Sequence, residues 1–213
     1  MRKALIGIVL GMGLPAQAEE LVIAALGDSL TQGFGLPADE GFVPQLQSWL
    51  QSQGAEVRLI NAGVSGDTTA GGLARVAWTL TPEVDAMIVA LGGNDLLRGL
   101  DPADARANLT GIMQAASEAE VEVLLVGMQA PGNYGPDYKA DFDAIYPELA
   151  ESYGTLYLES FFAGLAKDGA LPDLAEARAF FQADGIHPNA TGVARIVEGF
   201  GPAVLDLIDR ARR

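Results

Sequence analysis

Four apolar runs, each closed by a glycine and each followed by residues at helical spacing, set what this chain can become. They are Leu21 to Leu26 before Gly27, Val57 to Ala62 before Gly63, Ala86 to Leu91 before Gly92 and Val121 to Val126 before Gly127. A shorter run, Thr155 to Leu158, adds a fifth strand. Runs this short and this apolar read as strands buried on both faces, as in a parallel sheet. Helical spacing fills the intervals. Phe42 to Gln53 places Phe42, Leu46, Trp49 and Leu50 on one face before Gly54, and Thr69 to Leu80 does so with Leu73, Val76 and Ala77. Asp101 as N-cap and Pro102 at the first helical position open a helix reaching about Ala119. Tyr138 to Tyr153 reads as one helix with Pro147 as a kink point, and Ala190 to Ala211 as the last, with Gly199 to Pro202 as its place to bend. Residues 33–41 and 127–140 read as loops, the latter long enough for a lid or binding wall. Phe161 to Phe181 reads as mixed, with short helices. Strands alternating with helices predict an α/β protein: a three-layer α/β/α sandwich on a five-stranded parallel sheet.

Composition narrows the function. The 213 residues are 49% hydrophobic and 19% charged, which suits one globular domain. A net charge of -15 excludes a nucleic-acid partner, because a phosphate backbone needs a basic patch, and it disfavours docking on anionic lipid. Residues 1–18 read as a secretory signal peptide: Arg2 and Lys3, then the apolar stretch Ala4 to Leu14, then Pro15 before Ala16-Gln17-Ala18. Cleavage after Ala18 leaves residues 19–213 as a single domain with no membrane anchor, and the loss of Arg2 and Lys3 takes the charge from -15 to -17. The expected location is exported, periplasmic or secreted. With no cysteine there is no disulfide, no lipid-carrying cysteine and no thiolate metal site, and with one histidine there is no His-rich metal centre. Neither metal nor cofactor is expected, and the protein is expected to be a monomer.

The strand ends carry the chemistry. Ser29 leaves the first strand on a turn, where open α/β sheets place their ligands. His187 is the sole imidazole, and Asp184 lies three residues before it across Gly185. A serine nucleophile, an imidazole base and a carboxylate to orient the base are the parts of acyl transfer. Three donors are available for a tetrahedral oxyanion: the Ser29 N–H, the Gly63 N–H and the Asn94 side-chain amide. Taken singly, each has a plainer reading. Gly27-Asp28-Ser29 is a common turn, a histidine before proline is often a surface residue, Asn94 can cap a turn and Gly63 can serve backbone conformation alone. Asp28 reads as a turn former, and Asp95 with Arg98 as a surface ion pair. Their joint occurrence in a workable order favours catalysis.

Together these segments resemble the GDSL or SGNH hydrolases. The resemblance rests on Gly27-Asp28-Ser29-Leu30, on Gly63 within Asn61 to Thr68, on Gly92-Gly93-Asn94-Asp95 and on Asp184-Gly185-Ile186-His187-Pro188. Leu91 to Asp95 with Leu97-Arg98-Gly99, and Asn133-Tyr134-Gly135 with Ala144 to Pro147, are similar to the bacterial periplasmic thioesterase, arylesterase and lysophospholipase subgroup. The resemblance implies a flavodoxin-like sheet, no metal, and a shallow acyl site. In that site Ser29 is the nucleophile, Asp184 and His187 its partners, and Ser29, Gly63 and Asn94 the oxyanion hole. The expected substrates are small carboxylic esters or lysolipids: aryl esters, short to medium acyl esters and lysophospholipids, with thioesters in vitro. The alternatives are a carbohydrate O-acetyl esterase and a non-catalytic binding protein on the same scaffold.

Overall fold

The computed structural model describes residues 20–166 and 174–213. The expected signal peptide lies outside the described residues. The strands are β1 (Leu21–Gly27), β2 (Val57–Gly63), β3 (Ala86–Ala90), β4 (Glu122–Val126) and β5 (Leu156–Leu158). The helices are α1 (Ser29–Gln32), α2 (Phe42–Ser52), α3 (Thr69–Thr79), α4 (Gly93–Arg98), α5 (Pro102–Glu118), α6 (Pro136–Asp143), α7 (Ile145–Tyr153), α8 (Leu174–Ala177) and α9 (Ala190–Ala211).

All five strands are parallel, in the order β2-β1-β3-β4-β5. After β2 the chain crosses back over β1 to form β3, so the strand order reverses at β1/β3. Crevices outside the carboxyl ends of strands at such a point are where these sheets bind ligands. Register places Gly27 opposite Gly63 on one side and opposite Ala90 on the other. The ends of β2, β1 and β3 therefore lie side by side.

Alternation along the strands feeds two cores. Leu21, Ile23 and Ala25 of β1 join Ile88 and Leu124 in packing against Phe42, Leu46 and Leu50 of α2 and Ile196, Phe200 and Val204 of α9. Val22, Ala24 and Leu26 point the other way, with Met87, Val89 and Leu125, onto Val76 of α3, Leu109 and Ile112 of α5 and Ile145 and Leu149 of α7. On the first face Phe42, Phe161 and Phe200 form a ring cluster with centroids 4.8 to 5.7 Å apart. Each is at most 1% exposed, and a fully buried side chain of this kind stabilises the fold by about 1.5–3 kcal/mol.

Three details depart from expectation. Tyr138 to Tyr153 is not one kinked helix but two, α6 and α7, meeting at Ala144. Pro147 sits in the first turn of α7, where a missing N–H costs no helical bond, so it does not kink anything. Residues 93–98, to which spacing assigns no element, form a short helix, α4. Asp95 and Arg98 are not a surface pair. Asp95 is 1% exposed and accepts from the Thr69 N–H (2.9 Å) and Thr69 Oγ1–H (2.6 Å), while Arg98 donates to the Gly66 carbonyl. A buried carboxylate needs donors, and the first turn of α3 supplies them, tying α3 to α4. The last helix continues through Pro202.

Candidate active site

The turn after β1 is built by Asp28. It is the N-cap of α1, its Oδ1 accepting from the Leu30 N–H at 3.0 Å. Ser29 is thereby the first residue of a single helical turn. Among the described residues no protein acceptor takes its N–H, as befits the first turn of a helix. Gly27 is needed for space rather than for an unusual φ: a Cβ there would lie 2.0 Å from Thr31 Oγ1.

The turn before α9 is built by Asn189 and Gln182. Asn189 caps α9 by accepting from the Gly192 N–H, and its amide donates to the Ala179 and Phe181 carbonyls. Gln182 donates its backbone N–H to the His187 carbonyl, and its side chain donates to the Phe34 and Pro188 carbonyls. These bonds fix residues 182–188 against the loop leaving α1. Inside the turn, Asp184 Oδ1 accepts from the backbone N–H groups of Ile186 (2.9 Å) and His187 (3.0 Å). Asp184 Oδ2 lies 2.8 Å from His187 Nδ1, and His187 Nε2 lies 2.9 Å from Ser29 Oγ. The fold thus brings Ser29, His187 and Asp184 into one relay although Ser29 and His187 are 158 residues apart.

Charge decides the direction of that relay. The backbone N–H of His187, followed by its side chain and the Ile186 N–H, lowers the Asp184 pKa from 3.8 to about 2. An ionised carboxylate only accepts, so the shared proton sits on Nδ1. In the neutral ring Nε2 then accepts from the Ser29 hydroxyl. Phe34 covers the imidazole, with ring centroids 4.6 Å apart.

The two remaining donors flank Ser29. Asn94, on α4, donates from Nδ2 to Asp28 Oδ2 at 3.2 Å, which fixes its amide and leaves the second N–H of that nitrogen for another acceptor. Gly63 ends β2, and its N–H donates to Asn61 Oδ1 at 3.0 Å. This bond was not foreseen; an Asx-type turn over a glycine leaves little mark in sequence. Arg75 and Asp67 were likewise missed. Nothing local in Thr69 to Leu80 announces that Arg75 reaches back to the ends of β1 and β2.

Asp28 also carries a titration. It is 3% exposed, and burial pushes its pKa from 3.8 up to about 6, against the lowering effects of the Leu30 N–H, His187 and the Asn94 amide. The folded protein therefore binds this proton more tightly than the unfolded chain. Its contribution to stability is largest below about pH 4 and is lost as pH rises through about 6. At about 1.4 kcal/mol per unit, the loss is on the order of 3 kcal/mol. Urea unfolding of wild type and Asp28→Asn between pH 4 and 7 is expected to show the difference moving in favour of wild type as pH falls. A pH-independent difference contradicts this account.

Exposed apolar side chains rim these groups. Phe34, Val64, Leu97 and Ile186 are each between 45% and 62% exposed, and each follows or adjoins a site residue or its helix. Among the described residues, no cluster of His, Asp and Glu is arranged to hold a metal ion, and no helix is long and apolar enough to cross a membrane.

Comparison with known proteins places the chain in a family. Residues 25–195 match the model of the GDSL-like lipase/acylhydrolase family. The chain is 37% identical over 196 residues to esterase TesA of Pseudomonas aeruginosa, covering 92% of this chain and 93% of that protein. It is 36% identical over 175 residues to thioesterase 1/protease 1/lysophospholipase L1 of Escherichia coli K12, covering 82% and 77%. The crystal structure of AlinE4, described as an SGNH-hydrolase family esterase, superposes with a TM-score of 0.70 at 44% identity, covering 90% of this chain and 98% of that one. With a parallel sheet in this order, and its motifs at the ends of three adjacent strands, the chain belongs to the GDSL-like lipase/acylhydrolase family.

Proposed function

We propose that this protein hydrolyses carboxylic esters through an acyl-enzyme on Ser29. The observation that carries the reading is the unbroken relay from Ser29 Oγ through His187 to Asp184. His187 Nε2 takes the hydroxyl proton as Oγ attacks the carbonyl carbon. Asp184 holds the ring and stabilises the imidazolium. The leaving alcohol takes the proton from Nε2. Water then repeats the sequence on the acyl-enzyme and releases the acid.

The oxyanion of each tetrahedral intermediate lies among the Ser29 N–H, the Gly63 N–H and Asn94 Nδ2. The Gly63 N–H is held by a neutral amide oxygen in the free protein. A charged oxygen is the stronger acceptor and displaces or shares that bond. Removing one donor of this type costs about 3–4 kcal/mol of transition-state stabilisation.

The apolar rim of Phe34, Val64 and Ile186 supports aryl and short to medium acyl esters, lysophospholipids among them, over acetylated sugars. Thioesters fit the same chemistry. The sequence of residues 1–18 supports export, with residues 19–213 acting as one monomeric domain. A fluorophosphonate probe is expected to leave one adduct, on Ser29, located by peptide mass spectrometry. No adduct on folded protein overturns the reading in favour of a binding module. Faster hydrolysis of acetyl-xylan than of a C8 aryl ester overturns the substrate class alone.

A further inference from the structure

Arg75 makes three charge-assisted bonds at the carboxyl ends of two strands. From α3 its Nη1 donates to the Ala62 carbonyl (2.6 Å) and its Nη2 to the Gly27 carbonyl (2.8 Å). Its Nε donates to Asp67 Oδ2 (2.6 Å), in the loop between β2 and α3. Both partners of the ion pair are largely covered, with side chains 22% and 17% exposed. The two carbonyls are not arbitrary. Ala62 C=O shares its peptide unit with the Gly63 N–H, and Gly27 C=O shares its unit with the N–H of Asp28, whose side chain holds Asn94.

We propose that Arg75 is a positioning residue of the oxyanion site, acting through the 62–63 peptide; this rests on the acyl-enzyme reading given above. A trans peptide carries its C=O and N–H on opposite edges of one plane. Anchoring the Ala62 oxygen on the guanidinium therefore directs the Gly63 N–H away from Arg75. A cationic donor on the carbonyl also polarises the amide, so that the N–H at its other edge becomes a stronger donor. The second arm holds the Gly27 peptide to the same planar group, so a rigid fork braces the two peptides at strand ends that the ladder already pairs. Asp67 orients that fork and balances its charge. Because the bonds to the carbonyls exist before substrate arrives, the effect is preorganisation, felt where negative charge develops.

The reading predicts a split between binding and chemistry. Arg75→Gln and Arg75→Lys are compared with wild type on a p-nitrophenyl ester, with thermal unfolding as control and a trifluoromethyl ketone of the same acyl part as oxyanion mimic. The expected result is a 10- to 100-fold loss of kcat in Arg75→Gln with KM within about twofold, and a matching loss of affinity for the ketone. Arg75→Lys keeps the charge but not the fork and is expected to fall between. In an amide spectrum of Arg75→Lys the Gly63 resonance is expected to move upfield. A folded variant with wild-type kcat and ketone affinity overturns the proposal, as does failure of both variants to fold, which makes Arg75 a structural tie alone. Inactive wild-type enzyme instead overturns the acyl-enzyme reading itself.

Discussion

Replacing Ser29 with alanine is expected to lower kcat for a p-nitrophenyl ester by at least about 10⁴-fold while leaving the fold intact. Among the described residues, the Ser29 side chain contributes the one hydroxyl that bonds to His187 Nε2. Little else depends on it. The Ser29 backbone carbonyl, which accepts from the Gly33 and Phe34 N–H groups, is unchanged by the substitution. The N-cap bond belongs to Asp28. Alanine also suits a helical position. The change in stability is expected to stay within about 0.5 kcal/mol, a Tm shift below about 2 °C. Because the proposed nucleophile and base would act as a unit, Ser29→Ala/His187→Ala is expected to be about as inactive as either single variant. Stopped or continuous ester assays on matched folded samples decide it; turnover near the wild-type rate would mean that Ser29 is not the nucleophile.

Gly63→Ala is expected to damage both stability and rate. A Cβ at this position would lie 2.4 Å from the Gln32 nitrogen, 2.8 Å from Gln32 Cα and 2.9 Å from the Asp28 carbonyl oxygen. All three are backbone atoms of the turn that carries Ser29, so no side chain can swing aside. Either β2 or α1 must move. Overpacking of this kind costs about 1–3 kcal/mol, which for a chain of this length lowers Tm by roughly 2–12 °C. The same displacement separates Ser29 Oγ from the Gly63 N–H, and a misplacement of about 1 Å costs on the order of 10²-fold in rate. Gly132→Ala is the matched control, since nothing lies within 4 Å of a Cβ there. Equal Tm and kcat for the two variants would sink the argument.

The frame was legible in sequence because it rests on local signals. Apolar runs ending in glycine gave β1 to β4 to within a residue or two, and Asp101-Pro102 marked the start of α5. Ser29, Gly63 and Asn94 were legible as candidates because each stands within three residues of the end of such a run. Asp184 and His187 were legible through scarcity, the chain having one imidazole. What escaped was non-local. Asp95 finds its donors on Thr69, 26 residues away, where a reading by spacing chose the nearby Arg98. Arg75 reaches Gly27, 48 residues back, and Gln182 reaches Phe34, 148 residues back. Such pairs exist only once the sheet order is fixed. The six residues of α4 were missed for a different reason: a helix this short, entered through two glycines, shows too little periodicity to register.

The side-by-side ends of β2, β1 and β3 have a consequence for how such a protein can diversify. The distance between the groups proposed to meet the oxyanion follows from the spacing of hydrogen-bonded strands, which the two cores hold. The apolar side chains that would meet an acyl or aryl group stand on the connecting segments, where substitution disturbs no ladder. Much of what would set preference is thus separable from the sheet that spaces these groups, although Phe34 and Ile186 stand against the His187 turn itself. A lineage built on this plan can acquire new substrates by exchanging a few loop residues while its hydrolytic step stays as it was.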